Sequence, residues 1–291
     1  MNKPVADRNS FLGFTTSIEE AKVLILPVPY EQTTSYGTGT RNGPEAIIKA
    51  SNYVELFDEE LGIEAYLQGI HTLKPIEFET KLIEPSIEKI YQTVKRLPIK
   101  DKFVVSFGGE HSITYPIIKA YKEQFSHISV LHIDAHSDLR DEYEGTIYSH
   151  ASVMARVMEV ADIVQVGVRS QSKEEYNLVK RKNIRTFYMH DIQKNKQWKE
   201  QVVSSLRDNI YLTIDLDGFD PSIAPAVGTP EPGGLMWYDV IDLIKLSIQS
   251  KTIIGCDIVE LSPQPYSIVT DFLAAKLAYK IISNLVYLKS S

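Results

Sequence analysis

Short apolar runs rich in β-branched residues alternate with stretches of helical period along most of the chain, and this order constrains the fold most strongly. Because the connections are short, the alternation predicts a mostly parallel sheet covered by helices on both faces. No linker or repeat interrupts it, so we interpret residues 1–291 as a single domain. The predicted strands lie in KVLILPV, KFVVSFGG, ISVLHIDAH, DIVQVGVR, IRTFYMHD, NIYLTIDLD and TIIGCDIVEL. The predicted helices lie in PSIEKIYQTVKRL, ITYPIIKAYKEQF, EEYNLVKRKN, WKEQVVSSLRD, YDVIDLIKLSIQS and DFLAAKLAYKIISNLVYL.

Composition argues against several functional classes. The 38 acidic residues exceed the 31 Lys and Arg, and the net charge of -7 disfavours nucleic acid and anionic membranes as partners and favours a cationic ligand. The single cysteine, Cys256, excludes an internal disulfide and a cysteine-ligated zinc site. The sequence shows neither an apolar signal core nor a run long enough to span a bilayer, so we expect a cytoplasmic protein.

Unusual polar residues cluster where the predicted strands end. Four strands run into GGEH, DAHSD, DLDGFD and DIVELSP. In parallel sheets, ligands bind outside the carboxyl ends of the strands, so these segments are candidates for one shared site. The candidate metal ligands are His111, Asp134, His136, Asp138, Asp215 and Asp217.

The spacing of these residues favours a pair of metal ions. Side chains alternate along a strand, so Asp134, His136 and Asp138 would share one side if the chain stays extended. One ion cannot use two imidazoles and four carboxylates and keep an open position, whereas two ions can if two carboxylates bridge them. Four aspartates and two divalent ions also balance in charge, which makes buried carboxylates tolerable. Oxygen-rich ligands favour manganese, with nickel, cobalt or zinc as alternatives.

Each motif alone has a simpler structural explanation. A single Asp-x-Asp at a strand end is usually a turn or a helix cap, and the histidine of GGEHS alone would more often be a loop or packing residue. Three such signals at one edge of the sheet favour the metal site instead. His132 lies deeper in its strand, and we interpret it as a core residue, as we do Cys256.

These segments resemble the signatures of the ureohydrolases, a family that includes arginase and agmatinase. The resemblance rests on GGEHS, DAHSD, DLDGFDPSIAPAVGTPEPGG, PVPYEQTTSYGTGTRNGPEAI and DIVELSPQPY, and extends from Pro27 to Tyr279. It implies a three-layer α/β/α sandwich on a parallel sheet of eight strands, and a homo-oligomer, commonly a trimer or hexamer. The loop DLRDEYEGTIYSHASV is most similar to that of agmatinases, which implies hydrolysis of agmatine to putrescine and urea in polyamine synthesis.

The resemblance also implies a ligand set for two manganese ions. One would be held by His111, Asp134, Asp138 and Asp215, and the other by Asp134, His136, Asp215 and Asp217. It further implies that Glu260 holds the guanidinium and that His150 relays protons. Asp138, a ligand with a spare oxygen, would pass a proton to the departing amine. Ala151 and the segment PQPYSIVTD depart from the family pattern near the tail of the substrate.

Recognition of the substrate's far end is predicted from the loop Leu139–Tyr148, LRDEYEGTIY, which holds Asp141, Glu142 and Glu144 against Arg140. As a group the acids favour an ammonium tail, although each alone is more typical of a solvated loop. We therefore expect agmatine to be preferred to arginine and guanidinobutyrate, unless Arg140 faces inward and binds a carboxylate.

Three other functional classes are alternatives. Metal-dependent deacetylases share the architecture but use one zinc ion, which does not need six ligands. A di-metal phosphoesterase should present basic groups to an anion, whereas this site is acidic. A non-catalytic binding scaffold would not need every ligand position to be filled.

Overall fold

Strands and helices alternate along residues 4–290, whose backbone the computed structural model describes, with side chains described for residues 4–288. The strands are β1 (Val5–Ala6), β2 (Phe14–Thr15), β3 (Val23–Val28), β4 (Ile70–Thr72), β5 (Phe103–Gly108), β6 (Ile128–Ile133), β7 (Asp162–Val168), β8 (Arg185–Tyr188), β9 (Asn209–Asp215) and β10 (Thr252–Val259). The helices are α1 (Gly43–Ser51), α2 (Ile83–Lys95), α3 (Thr114–Lys122), α4 (Val153–Val157), α5 (Lys173–Lys182), α6 (Met189–Ile192), α7 (Trp198–Ser205), α8 (Trp237–Ser250) and α9 (Val269–Ser290).

Eight strands form one sheet in the order β4-β3-β5-β10-β9-β6-β7-β8, and every neighbouring pair is parallel. Strands β3, β5 and β6 are buried along their whole length. Burial on both faces explains why they read as continuous apolar runs instead of alternating ones. The short strands β1 and β2 pair separately and antiparallel.

Helices cover both faces of the sheet. One apolar cluster joins α1, α7, α8 and α9 to the first face, and another joins α2, α3, α4 and α5 to the second. Successive residues of β3 divide between the clusters, since Val23 and Ile25 belong to the first and Leu24 and Leu26 to the second. This three-layer α/β/α arrangement confirms the predicted fold class. Among residues 4–290, no helix combines the length and apolar character needed to cross a membrane.

The strands predicted from apolar runs are all present in the sheet. The sequence does not predict β4, because only Ile70 of its three residues is buried and the strand lies at the edge of the sheet. Helices α1, α4 and α6 are likewise not among the helices predicted from the sequence. The last two span five and four residues, too few to show a helical period.

The topology brings four polar segments to one edge. Strands β5, β10, β9 and β6 are consecutive neighbours, and since they are parallel their carboxyl ends meet. His111 lies just beyond β5, Glu260 follows β10, Asp215 ends β9 and Asp134 follows β6.

Candidate functional site

Four of the six predicted ligands converge at one imidazole nitrogen. His111 Nδ1 lies 3.1 Å from Asp134 Oδ2, 3.2 Å from Asp138 Oδ2 and 3.4 Å from Asp215 Oδ2. All four residues are at least nine-tenths buried. The ligand atoms of His111, Asp134 and Asp138 lie close enough together to hold one cation, and His132 completes that group, whereas Asp215 lies outside it.

The other two predicted ligands form a second group with Asp134. His136 Nδ1 lies 2.9 Å from Asp217 Oδ2 and 3.6 Å from Asp134 Oδ1. Thr229 donates to Asp217 Oδ2 at 3.2 Å, and Asp217 Oδ1 accepts the Ala135 N–H at 3.1 Å. Asp134 belongs to both groups, with one carboxylate oxygen toward each imidazole. A pair of ions that share a bridging carboxylate requires this arrangement.

An unpartnered nitrogen tests whether a metal fits here. Thr213 donates its only hydroxyl proton to Asp257 Oδ1 at 2.5 Å, so Thr213 Oγ1 must accept from His111 Nε2, 2.9 Å away. His111 Nδ1 is buried, has no hydrogen-bond partner of acceptable geometry and faces three carboxylates. Burial disfavours a charged ring, but Asp134, Asp138 and Asp215 outweigh it and hold the pKa of His111 well above its ordinary value. A divalent cation would take the place of the proton that these carboxylates otherwise attract to Nδ1. The residues therefore fit a divalent metal.

Two of the four aspartates, Asp138 and Asp215, are poorly stabilised as anions by the protein alone. Burial and the nearby charge of Asp134 raise the pKa of Asp138 to about 6. Burial and the charge of Asp217 raise the pKa of Asp215 well above its ordinary value. For Asp134 burial acts in the same direction, but imidazoles led by His132 outweigh it and hold the pKa well below its ordinary value. Two divalent cations would compensate this concentration of negative charge.

The aspartates converge through turns instead of along extended strands. Strand β6 ends before Asp134, whose Oδ1 accepts the His136 N–H at 2.6 Å. Asp138 has a φ of +54°, a left-handed conformation that is uncommon outside glycine. Asp215 Oδ1 likewise accepts the Asp217 N–H at 2.8 Å. The chain does not stay extended through DAHSD, because an aspartate that accepts the N–H two residues on closes a local turn.

His132 is buried, as predicted, but it is more than a packing residue. Gln165 Nε2 donates to the Ser137 carbonyl at 2.7 Å, which identifies it as the amide nitrogen, and it also lies 3.2 Å from His132 Nδ1. In a neutral ring the proton is therefore on Nε2, which donates to Asp134 Oδ2 at 2.7 Å. His132 thus orients a carboxylate shared by both groups. Its position two residues before Asp134, on the same side of the strand, is the signal that could have identified it.

His132→Leu is expected to weaken metal binding about 10- to 100-fold, the range for loss of an outer hydrogen-bond partner. Leucine occupies a similar space but gives Asp134 Oδ2 no donor. Calorimetric titration of the metal-stripped protein measures the effect, with His190→Leu at an exposed position as the matched control. Equal affinities in the two variants would show that His132 does not support Asp134.

Glu260 leaves the end of β10 in a left-handed conformation, with a φ of +66°. Its N–H donates to the Gly109 carbonyl at 2.8 Å, and its Oε1 accepts the His111 N–H at 2.6 Å. One carboxylate oxygen is thus fixed by the protein, which leaves the other for a ligand. Burial and the charge of Glu110 raise the pKa of Glu260 well above its ordinary value, so a bound cation would favour the charged form.

His150 begins a 3₁₀ turn that precedes α4. Its Nε2 lies 2.9 Å from Ser35 Oγ, and its Nδ1 lies 3.3 Å from Thr33 Oγ1. The ring of Tyr143 packs edge-on against it, with centroids 5.9 Å apart. Burial, reinforced by His111, lowers the pKa of His150 to about 4, so the ring is neutral near neutral pH.

A cavity of about 270 Å³ connects the candidate catalytic groups. Five of the predicted ligands, together with His150 and Glu260, line it. Asp134 is fully buried beneath them. The remaining wall includes Ser35, Tyr143, Ala151, Gln171, Ser172 and Glu175.

The four charged residues of the predicted tail loop do not all face the cavity. Arg140 lines the cavity. Asp141 instead accepts from Arg156 at 2.6 Å and is 95% exposed. Glu142 and Glu144 are exposed and do not line the cavity. The acids therefore do not face the cavity as a group, because Asp141 pairs with a cation outside it and the other two point to solvent.

Arg169 is a further residue that the sequence does not single out. It follows β7 directly, and among the described residues its guanidinium donates to backbone oxygens. These bonds tie the turn that carries Asp217 to the end of β7, two strands away from β9 in the sheet. The accepting carbonyls are those of Gly167, Asp217, Gly218, Phe219 and Glu231.

Comparison with known proteins gives consistent results. A sequence model described as the Arginase family matches residues 21–283. An N(1)-aminopropylagmatine ureohydrolase of Synechocystis sp. is 40% identical over 92% of this chain and 90% of the relative. An agmatinase of Pyrococcus horikoshii is 34% identical over 92% and 93%, respectively. The crystal structure of an agmatine ureohydrolase of Thermoplasma volcanium superposes with a TM-score of 0.86 and 33% identity, and the match covers 100% of this chain and 97% of that one.

Proposed function

The chain belongs to the arginase family, and from that membership we propose that it hydrolyses linear guanidines of the agmatine type, which end in an amine. It is a ureohydrolase, an enzyme that cleaves a guanidino C–N bond and releases urea. One observation carries the proposal: Glu260 and His150 line the same cavity as the histidine–aspartate cluster.

Glu260 would hold the guanidinium. Its Oε1 is fixed by the His111 N–H, so its orientation is set before the substrate arrives. A carboxylate accepts charge-assisted hydrogen bonds from a guanidinium and would keep the reacting carbon beside the cluster.

The family is binuclear and metal-dependent, and we propose that the six ligand residues hold two manganese ions. When bound, the ions would supply a water that loses its proton near neutral pH. Asp138 lines the cavity and would carry a proton to the departing amine. His150 would exchange protons with solvent.

The tail of the substrate has two amine-ended candidates. The relative at 40% identity is named for N(1)-aminopropylagmatine and that at 34% for agmatine. N(1)-aminopropylagmatine carries an additional propyl chain and amine, and it is the other candidate substrate beside agmatine. Glu175 is a buried carboxylate on the cavity wall, and its oxygens already accept the N–H groups of Leu139 and Ser172. Arg140, whose guanidinium lies 5.2 Å from the ring centroid of Tyr143, is the feature that would instead favour a carboxylate tail.

A substrate panel tests the proposal. The manganese-loaded protein is assayed for urea with agmatine, N(1)-aminopropylagmatine, arginine and guanidinobutyrate at fixed salt. One of the two amine-ended guanidines should lead the carboxylates in kcat/KM by at least about tenfold, since a carboxylate without enough donors costs that much. A lead for guanidinobutyrate that Arg140→Ala abolishes would overturn the amine-ended substrate and leave the ureohydrolase activity standing.

Three further properties stay predictions for this chain. They are a cytoplasmic location, assembly into a homo-oligomer and a single domain over residues 1–291.

A further inference from the structure

Glu110 is a fully buried carboxylate that the proposed reaction does not use. Its Oε1 accepts the hydroxyls of Thr33 at 2.7 Å and Ser112 at 2.6 Å. Its Oε2 accepts the N–H groups of Gln32 at 2.6 Å and Thr33 at 2.7 Å. Two donors on each oxygen match the acceptor capacity of an ionised carboxylate. Glu110 therefore anchors the Thr33 segment firmly beside β5.

Thr33 in turn determines what His150 can donate. The only hydroxyl proton of Thr33 goes to Glu110, and its oxygen accepts the backbone N–H of His150 at 3.1 Å. His150 Nδ1 lies 3.3 Å from the same oxygen. Because Thr33 has no second proton to give, this last contact is a hydrogen bond only if Nδ1 carries the ring proton.

We propose that Glu110 and Thr33 are positioning residues that hold the neutral His150 ring with its proton on Nδ1 and its lone pair on Nε2. Nε2 then accepts the hydroxyl of Ser35, 2.9 Å away, and both residues line the cavity. Ser149 Oγ lies 3.3 Å from Nδ1 and is the competing contact. As an acceptor it supports the same tautomer, whereas as a donor it would place the proton on Nε2.

The tautomer matters for the reaction, and this consequence rests on the proposed role of His150 in proton exchange. A ring fixed in this way always presents a proton acceptor, Nε2, on the side of Ser35 and the cavity. Without the Thr33 acceptor the ring could adopt either tautomer, and part of the population would present an N–H instead. Removal of the Thr33 hydroxyl should affect kcat more than KM, because Thr33 is not among the residues that line the cavity and should contribute little to substrate binding.

Ring nitrogen chemical shifts test the tautomer directly. The full chain is labelled with ¹⁵N-histidine and loaded with Zn²⁺, which avoids paramagnetic broadening, and His150→Asn assigns the signals. The wild type should show the proton on Nδ1. Thr33→Val should shift the population toward Nε2–H, Thr33→Ser should restore Nδ1–H, and the control Ser35→Ala should keep Nδ1–H. A wild-type proton on Nε2, or a Thr33→Val spectrum like that of the wild type, would overturn the proposal.

Kinetics provide the second measurement. Thr33→Val should lower kcat about tenfold, a part of the roughly 100- to 10,000-fold that acid–base catalysis contributes, and Thr33→Ser should recover most of it. An unchanged kcat in Thr33→Val would contradict the positioning role. If no guanidine yields urea even with the wild type, the proposed function fails, while the wild-type spectrum still decides the tautomer. If no Thr33 variant folds, the wild-type spectrum still decides the tautomer of His150.

Discussion

Glu260→Gln should lower kcat/KM for the preferred guanidine at least about a hundredfold and leave metal binding intact, because it removes a charged acceptor from a buried site. Glutamine has the same size and its oxygen can still accept the His111 N–H. Its amide group would then face the N–H groups of the guanidinium, so donors would oppose donors. The comparison requires urea release and metal content measured on the same preparation.

Glu45→Gln is the matched control, since Glu45 is an exposed partner of Lys49 and is not among the residues that line the cavity. It should leave both quantities unchanged. Near-normal urea release by Glu260→Gln would show that another residue holds the guanidinium. A loss of metal along with activity would instead assign Glu260 to the support of His111.

Asp134→Asn should weaken binding at both metal positions and lower activity by more than the roughly 10- to 100-fold that loss of an outer partner costs. Asp134 is the residue shared by the two ligand groups. Both of its oxygens accept, from His132 and from the His136 N–H. An asparagine must therefore turn its amide nitrogen toward a donor, besides losing the charge. Metal content by elemental analysis after manganese loading measures the change.

Asp217→Asn is the control within the same site, because Asp217 belongs to the His136 group alone. It should empty one position preferentially. Asp215→Ala should resemble the Asp134 variant if Asp215 also bridges. Two tightly bound ions in Asp134→Asn would contradict the shared role of Asp134.

The sheet is predictable from sequence because its strands are buried on both faces. Continuous apolar runs such as Val23–Val28 cannot be exposed, and a helix between two strands makes their connection a parallel crossover. The edge strand Ile70–Thr72 has one buried residue and no such signature. Its pairing with β3 is decided by tertiary contacts, which a local pattern does not contain.

The predicted ligands lie close together because they follow the carboxyl ends of parallel strands, which the sequence indicates. The path of the backbone between these ligands is not predictable in the same way. The turn at Asp134 and the left-handed conformation of Asp138 arise from side-chain hydrogen bonds to the backbone, and these are invisible to strand periodicity. The sequence predicts His132 as a core residue, because a single sequence does not distinguish a histidine that only packs from one that also donates a hydrogen bond. The orientation of Asp141 depends on Arg156, which lies on another element.

A metal titration with simultaneous assay tests most directly whether a binuclear centre in this cavity releases urea. Metal-stripped protein is loaded stepwise with Mn²⁺, and urea release from the preferred guanidine is followed against bound ions per chain. The six ligand residues and the shared Asp134 predict that activity rises until two ions are bound and then stays constant. Full activity with a single bound ion per chain would contradict the account.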